Sequence, residues 1–393
     1  MSTATTLSGA TIVLPDRLLT AGGLVIEDGR IVEIANRHLP GGRDLHGHVI
    51  VPGFIDVHVH GVEGIDSLDG GDAVARIAAR LPRFGVTAFC PTSVACTPAD
   101  LRAMLAAIRT AREQAESTSA RVLPAHLESN FINPEFKGAQ PLACIRRPGD
   151  APEGDFSGRE ILSEIAASRP DVGIITMAPE IAGVLELIPE LVRHGHRVSL
   201  GHSGATYEEA RAGIAAGATH ATHLFNRMPP FSHRRPGLVG AVLESDDVAA
   251  EIVCDGVHVH AAAVRAAVAA KGASKMMAIT DGTAGSGLPP GARATLGGRA
   301  ITVRDAAYLD DGTLAGSVLT MDRAFAALVQ SMGFTLIDAA HLFSTTPARE
   351  LGLHGLGAIA EGATADFVVL DDRLTVVETY ISGIRAGVEQ PSR

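Results

Sequence analysis

Two histidines, His202 and His223, stand 21 residues apart in a stretch whose pattern predicts a strand, a helix and a second strand. The first strand ends just before His202, and the helix begins where Thr206 and Glu209 have the spacing of a capping box. The second strand delivers His223. Because a strand–helix–strand unit is a right-handed crossover with parallel strands, both imidazoles emerge at one sheet edge. Neighbouring strands lie about 4.8 Å apart, so the two side chains can bind one metal ion.

Residues that bind metals or transfer protons recur at the ends of other predicted strands. His58 and His60 form an HxH pair, and the two-residue period of a strand turns both to one face. Glu128 ends the third strand, His258 the seventh and Asp281 the eighth. Each histidine taken alone reads more simply as a packing residue. Their repetition at strand ends instead favours a metal-dependent site.

The elements that must position these residues follow an alternation of apolar strands and helices. Eight strands are predicted at residues 49–60, 86–91, 121–128, 172–178, 198–202, 219–224, 250–258 and 275–281. Helices are predicted at residues 71–84, 98–116, 158–167, 181–194, 206–216, 261–270, 321–332 and 336–351, with mostly loop and one turn near 237–243 in the sixth connection. Eight parallel strands with crossover helices close a barrel, whose active site lies at the carboxyl ends of its strands.

Both ends of the chain have a different, all-β pattern of short strands and turns. The two ends can pair into one small domain that the barrel interrupts. The predicted fold class is therefore α/β, with a (β/α)8 TIM-like barrel and a small β-sandwich domain built from both termini. The predicted domain ranges are 1–50 and 354–393 for the two parts of the β domain and 51–353 for the metal-dependent catalytic barrel.

Composition and charge exclude several classes of partner. A net charge of −11 argues against nucleic acid and anionic membranes, because those partners require clustered cations. The four cysteines have no CxxC spacing, which fits a reducing compartment. The beginning of the chain has no signal-peptide pattern, and no apolar run has membrane-spanning length. The protein is predicted to be soluble and cytoplasmic, and any anionic substrate must meet a local cluster of cations.

Many segments of the chain resemble one enzyme family. They are PGFIDVHVHG at 52–61, HLE at 126–128, NPEFKGA at 133–139, MAPE at 177–180, LGHSGAT at 200–206, THLFN at 222–226, HRRPGLVGA at 233–241, CDGVHVH at 254–260, ITDG at 279–282 and LAGSVLTM at 314–321. By these motifs the chain is similar to the N-acetylglucosamine-6-phosphate deacetylase family of the amidohydrolase superfamily, over essentially its whole length. The family's barrel and terminal β domain agree with the predicted fold.

The resemblance implies a metal centre and an acid–base residue. Glu128, His202 and His223 would hold the principal divalent ion, and Asp281 would serve as general base and then general acid. His58 and His60 would form a second ion site, which some family members have and others lack. Zinc is the expected ion, with iron, cobalt and manganese as alternatives and one or two ions per subunit. A homodimer is also implied, with the neighbouring subunit completing the phosphate site.

The resemblance further implies contacts to an amino-sugar phosphate substrate. The implied substrate-binding residues are Ala139, Gln140, Asn226, Arg227, Arg234, His258, Leu314, Ala315 and Gly316. Arg234 has a physical reason to belong to this set, because a guanidinium binds phosphate through two parallel hydrogen bonds. The segment from His233 to Arg235 supplies the local positive charge that the whole chain lacks. The alternative interpretation is a solvated basic turn.

Four positions depart from the family pattern. Ser129 and Asn130 replace the usual Gly-Pro, Gln140 replaces the usual histidine, and Arg227 replaces a small residue. These changes leave the identity of the sugar and of the acyl group more open than the type of reaction. The preferred hypothesis is deacetylation of N-acetyl-D-glucosamine 6-phosphate in amino-sugar catabolism. The alternatives are a deacylase of another N-acyl hexosamine or N-acyl amine, and a non-catalytic sugar-phosphate binding protein, against which Asp281 argues.

Overall fold

The computed structural model describes residues 4–149, 151 and 154–387 of the 393-residue chain. A parallel barrel forms its centre, as predicted. The barrel strands are Phe54–Val59, Val86–Ser93, Arg121–Val122 continued by Ala125–Glu128, Val172–Met177, Arg197–Leu200, His220–Ala221, Ala249–Val253 and Met276–Ile279. Strand one meets strand eight where the Asp281 N–H donates to the His58 carbonyl at 3.0 Å and the His60 N–H donates to the Gly282 carbonyl at 2.7 Å. The sheet therefore closes at the end where the chemistry was predicted.

Helices cover the barrel and lie within the connections between its strands. The α-helices are Ala73–Arg80, Pro98–Glu113, Gly158–Ala167, Val184–Arg193, Tyr207–Ala215, Gly237–Glu244, Ala261–Lys271, Met321–Ala326, Leu336–Ala340 and Thr346–Leu351, with π-helical turns at Ala327–Ser331 and His341–Thr345. Short 3-10 turns lie at Ser67–Asp69, Leu81–Phe84, Pro134–Phe136, Leu142–Cys144, Arg169–Asp171 and Ala273–Lys275. The Thr206–Glu209 capping box forms as predicted. Among the described residues, no helix combines the length and apolarity needed to cross a bilayer.

The small β domain unites the two termini in one mostly antiparallel sheet. Its strands are Thr5–Val13, Leu18–Glu27, Arg30–Ala35, Arg43–Asp44, Val49–Pro52, Phe367–Leu370, Val376–Ile381 and Ile384–Arg385. Val49–Pro52 pairs with Phe367–Leu370 and so joins the two chain ends. A separate hydrophobic core that includes Leu24, Ile50 and Phe367 supports the sheet. Residues 1–3 and 388–393 of the predicted domain ranges lie outside the described residues.

Several element bounds differ from the sequence prediction. The predicted strand 49–60 is two strands, because the chain passes from the terminal sheet to the barrel at Gly53, where a Cβ would lie 2.3 Å from Thr87. The sixth connection contains a helix, Gly237–Glu244, rather than mostly loop. Strand six ends at Ala221 and strand seven at Val253, so His223 and His258 lie on the loops that follow.

The segment after strand eight, called the excursion below, forms strands at residues 293–309 that were not predicted. Residues Arg293–Leu296, Arg299–Val303 and Ala307–Leu309 form a three-stranded antiparallel sheet. A two-stranded ribbon, Gly61–Val62 with Ile65–Asp66, lies beside it, and Asp66 accepts a hydrogen bond from the Gly297 N–H at 2.8 Å. The excursion returns the chain over the barrel mouth, where Gly282 bridges to Ser317. This return path carries residues 314–316 to the candidate site.

Candidate active site

Glu128 stands at the centre of the barrel mouth between two pairs of histidines. Its Oε1 lies 2.8 Å from Nε2 of His202 and 2.9 Å from Nε2 of His223. On its other side, its carboxylate oxygens lie 3.8 Å from Nε2 of His58 and 3.7 Å from Nε2 of His60. All five side chains are buried. The five predicted metal ligands are thus brought together, with one carboxylate shared by both pairs.

The ligand atoms satisfy the geometric requirement for divalent ions. The donor atoms of Glu128, His202 and His223 lie within 4.8 Å of one another, and those of His58, His60 and Glu128 do so too. The Nε2 atoms of His202 and His223 face each other at 3.1 Å, and those of His58 and His60 at 3.3 Å. Two imidazole nitrogens and a carboxylate oxygen suit zinc and its first-row neighbours. The residues present therefore fit a divalent metal.

Asp281 faces the His58–His60 pair from just beyond the end of strand eight. Its Oδ1 lies 3.3 Å from Nε2 of His60 and 3.4 Å from Nε2 of His58. Burial would raise the pKa of Asp281, but the charges of His58 and His60 and the hydrogen bond from His60 lower it. Asp281 is therefore held as a carboxylate, the form in which a general base can accept a proton.

The charges of the centre are coupled through Glu128. Burial opposes ionisation of Glu128, yet His202, His223 and His58 hold its pKa well below the usual range. Burial would also lower the pKa of His223, but its hydrogen bond to Glu128 and the nearby carboxylates raise that pKa to about 9. His58 differs, because burial dominates and lowers its pKa to about 3. The buried carboxylates thus attract positive charge to the point where an ion would bind.

Three residues of the centre have backbone conformations that side chains rarely adopt. His202 has a φ of 48°, His223 of 31° and Asp281 of 48°. Each follows the end of a barrel strand, where the chain must turn sharply outward. Such left-handed conformations cost free energy and persist where surrounding structure enforces them, commonly at functional sites. These three strained positions lie together at the barrel mouth, beside the predicted ligand side chains.

A narrow cavity of about 50 Å³ opens above Glu128. Four of the five predicted metal ligands, all but His58, line it together with Asp281. Its lining also includes Leu296 and the predicted substrate contacts Ala139, Gln140, Asn226, Arg227, His258, Leu314 and Gly316. Leu296 belongs to the unforeseen three-stranded sheet. Ala315 lies between two lining residues but is fully buried and packs with Val94 and Ile301 instead. Seven of the nine predicted substrate contacts therefore reach the cavity.

Arg234 is not brought to this cavity. Its side chain is exposed and lines a separate cleft of about 550 Å³ with Tyr207, Pro230 and Arg235. The exposed Phe231 lies in the same loop. Within one subunit, the prediction that Arg234 binds the phosphate of a substrate in the cavity therefore lacks direct support. Residues 229–236 lead into the helix Gly237–Glu244, and the exposed Arg234 and Arg235 of this segment both line the separate cleft.

Gln140 points to the metal centre. Its Oε1 accepts a hydrogen bond from the Ala95 N–H at 2.7 Å, so the amide nitrogen is the group that faces the cavity. That nitrogen donates to Oε2 of Glu128. Gln140 therefore braces the carboxylate oxygen that His202 and His223 do not use.

Ser129 and Asn130 are buried, and neither of them lines the cavity. The Asn130 side-chain nitrogen donates to the carbonyls of Cys96 and Cys144, each at 2.7 Å, and so ties two loops together. The Ser129 hydroxyl donates to the Thr176 carbonyl at 2.5 Å. These two departures from the family pattern are explained by loop packing, whereas Gln140 contacts the centre directly.

Arg227 fills the space over Gly138 at the cavity rim. A Cβ on Gly138 would lie 2.5 Å from the Arg227 Nε, so the missing side chain admits the guanidinium. Arg227 donates to the Leu314 carbonyl at 3.3 Å and thereby links the loop after strand six to the excursion. It is a cation that this subunit itself presents to the cavity.

Two contributors to the site were missed by sequence reasoning. Asp255 accepts from Nδ1 of His258 at 2.6 Å and from the His258 N–H at 2.8 Å, so it orients the ring. Glu251, buried in strand seven, lies 2.9 Å from Nδ1 of His58. A carboxylate in an otherwise apolar strand is the signal that could have revealed Glu251.

Comparison with known proteins agrees with this geometry. Residues 49–386 match the amidohydrolase family. The chain is 39% identical to the N-acetylglucosamine-6-phosphate deacetylase of Danio rerio, over 86% of this chain and 85% of that protein. The chain belongs to the amidohydrolase family and, within it, to the N-acetylglucosamine-6-phosphate deacetylases. It is a hydrolytic enzyme, and the family resemblance read from its motifs is confirmed.

Two further relatives bear on the substrate. The structure is similar, with a TM-score of 0.89 and 32% identity over 98% of this chain and 99% of the other, to a mutant N-acetyl-D-glucosamine-6-phosphate deacetylase from Mycobacterium smegmatis in complex with N-acetyl-D-glucosamine-6-phosphate. The chain is also 35% identical to the N-acetylgalactosamine-6-phosphate deacetylase of Escherichia coli O157:H7, over 85% of this chain and 87% of that protein.

Proposed function

We propose that this enzyme hydrolyses the acetamide of N-acetyl-D-glucosamine 6-phosphate to glucosamine 6-phosphate and acetate, as a step in amino-sugar catabolism. The observation that carries the proposal is the placement of Glu128 between two histidine pairs, with Asp281 facing the same point. Relatives with this name on similar chains support the choice of substrate. We further propose zinc as the ion, the cytoplasm as the location, and the division of the chain at residues 50 and 353.

Glu128, His202 and His223 would hold the principal ion, and His58 and His60 would hold a second one beside Asp281. A divalent ion bound there supplies a Lewis acid that polarises the acetamide carbonyl and lowers the pKa of bound water. Asp281 takes a proton from the attacking water as the water oxygen bonds to the carbonyl carbon. The carboxyl group then gives that proton to the nitrogen as the carbon–nitrogen bond breaks, because an amine leaves poorly unless protonated. Acetate and the amino sugar result.

The remaining cavity residues orient the sugar. Asp255 fixes Nδ1 of His258, so Nε2 is the ring nitrogen that can reach a substrate oxygen. Asn226 and Arg227 line the same cavity together with Leu314. These contacts hold the acetamide group next to Asp281. Orientation of the reacting groups in this way contributes to catalysis.

We also propose that the enzyme works as a homodimer in which Arg234 serves the cavity of the other copy. The exposure of Arg234 and Phe231, and the separate cleft that Arg234 lines, support this assignment. A net charge of −11 would otherwise repel a dianionic substrate. The phosphate site would then consist of the local Arg227 and Arg234 of the partner subunit.

The experiment that tests the function is a measurement of acetate release from a panel of N-acetylhexosamines. The panel holds N-acetylglucosamine and N-acetylgalactosamine, each with and without the 6-phosphate, with the purified protein before and after removal of metal. We expect the highest kcat/KM on N-acetylglucosamine 6-phosphate. We also expect that activity to be lost when the metal is removed. Preference for the galactose isomer would favour the activity named for the Escherichia coli relative. No acetate release from any of the four sugars would refute the proposal.

A further inference from the structure

Glu251 lies inside the barrel at the level of the metal centre, although no motif includes it. In its strand, Ala249–Val253, the residues Ala249 and Val253 pack in the inner core cluster, whereas Ala250 and Ile252 pack in the outer one. The alternation of a strand therefore turns Glu251 inward, where it is fully buried. A buried carboxylate is costly unless its oxygens receive hydrogen bonds. The side chains that supply those bonds show what the residue does.

One oxygen of Glu251 contacts a predicted ligand from each half of the centre. Its Oε2 accepts from Nδ1 of His58 at 2.9 Å and from the backbone N–H of His223 at 3.3 Å. In addition, the Glu251 carbonyl accepts from the Leu224 N–H at 2.8 Å. Glu251 thus sets the orientation of the His58 ring and supports the strained turn at His223.

The other oxygen does not turn Glu251 into a ligand of a third ion. The Glu251 Oε1 lies 3.6 Å from Nδ1 of His126 and has no hydrogen-bond partner among the described residues. The Nδ1 of His126 lies 2.9 Å from the Val57 carbonyl, which can only accept, so that nitrogen carries a hydrogen. A protonated ring nitrogen cannot bind a cation. The cluster of His58, His126 and Glu251 is therefore a hydrogen-bonded support and not an ion site.

We propose that Glu251 is a positioning residue that makes the metal centre of this enzyme a two-ion centre. Because Nδ1 of His58 donates to Glu251, the lone pair of His58 is on Nε2, which faces His60, Glu128 and Asp281. Carboxylates that hold a metal-binding histidine in this way fix its tautomer and raise its basicity. The backbone contact at His223 extends the same support to the other ion. The inference rests on the proposed function, since it assumes the metal centre described above.

Two substitutions separate positioning from simple packing. Glu251→Leu fills the same space without an acceptor, so His58 is free to rotate or to change tautomer. Glu251→Gln keeps one carbonyl oxygen as acceptor, removes the charge and replaces the second oxygen by an NH2 group. Val253→Ala is the matched control, because Val253 lies on the same inner face two residues away and its apolar side chain offers no hydrogen bond to the predicted ligands. All three proteins are stripped of metal, reloaded with Zn²⁺ or Co²⁺ and compared with the parent.

The readouts are ions per subunit, affinity in chelator competition, and the visible absorption bands of the Co²⁺ form. We expect two ions per subunit in the parent and in Val253→Ala. In Glu251→Leu the ion at His58 and His60 should bind about 10–100-fold more weakly, and the Co²⁺ bands should change to those of a single-ion form. Glu251→Gln should fall between Glu251→Leu and the parent.

Parent-like affinities in both Glu251 variants, or an equal loss in Val253→Ala, would overturn the proposal. Where Glu251→Leu does not fold, Glu251→Gln decides alone: weaker binding at the His58–His60 pair supports the proposal and parent-like binding overturns it. A parent enzyme that is active with a single ion would overturn this inference and leave the proposed function intact. A parent that binds no divalent ion would overturn both.

Discussion

The candidate site has a reaction end, where the amide would be cleaved, and an anchoring end, where the phosphate would bind. A single subunit supplies more of the first than of the second. At the reaction end, Glu128, the four histidines and Asp281 are buried and lie within 3.8 Å of a neighbour in the same set. At the proposed anchoring end, Arg234 is exposed and lines another cleft. The difference teaches that the proposed bond cleavage uses strand ends of a single barrel, whereas the proposed phosphate contact uses an arginine on a loop that lines a different cleft.

The largest expected effect comes from the reaction end. Glu128→Gln removes the carboxylate shared by both histidine pairs, so we expect loss of bound metal and a fall in kcat/KM of at least about 10⁴-fold, the several kcal/mol that a metal contributes. Metal analysis and acetate release measure both. Glu135→Gln, an exposed change on the loop that follows Glu128, is the control and should retain metal and activity. A metal-replete Glu128→Gln enzyme with normal turnover would contradict the assignment of the centre.

Asp281→Asn should separate proton transfer from metal binding. The amide cannot accept the proton of the attacking water, so kcat should fall by about 10²–10⁴-fold. The ion at Glu128, His202 and His223 should remain bound, because Asp281 contacts the other histidine pair. Phosphorylated and plain N-acetylglucosamine should be slowed by the same factor. A loss confined to the phosphorylated sugar would place Asp281 at the anchoring end instead.

Arg234→Ala should have the opposite selectivity. Loss of a charge-assisted phosphate contact should cost about 2–4 kcal/mol in kcat/KM on the phosphorylated sugar. Plain N-acetylglucosamine never made the contact and should be hydrolysed as fast as by the parent. Arg265→Ala, an exposed substitution on Ala261–Lys271, is the matched control for loss of one positive charge. Equal losses on both sugars would mean that Arg234 only supports its loop.

The reaction end could be predicted from sequence because strand order and strand ends determine it. His202, His223 and Asp281 each follow a short barrel strand, and parallel crossovers bring such positions to one edge. Glu251 could not be assigned a partner in this way, because its contact to His58 joins residues 193 positions apart across the barrel interior. The three-stranded excursion was missed since its strands are only three to five residues long and alternate weakly.

The smallest expected effects concern the family departures. Gln140→His replaces an amide that donates to Glu128, so the ranking of the sugar panel should change by about 1–3 kcal/mol. Asn130→Ala leaves the Cys96 and Cys144 carbonyls without their donor. It should lower the free energy of unfolding by about 1–3 kcal/mol and leave the ranking unchanged. Denaturant unfolding and the substrate panel measure the two responses. A sugar preference that follows Asn130 and not Gln140 would reverse this interpretation.

The most direct test of the account is complementation between two subunits that are impaired at different ends of the site. Glu128→Gln subunits keep Arg234 but lack a metal centre, and Arg234→Ala subunits keep the centre but lack the arginine. The two chains carry different tags, are co-expressed, and the mixed dimer is purified through both tags. We predict that the mixed dimer recovers about half of the parent's kcat/KM on the phosphorylated sugar, because a two-fold dimer then contains one complete site. A mixed dimer no more active than the Arg234→Ala enzyme would contradict the claim that one subunit supplies the chemistry and its partner the anchor.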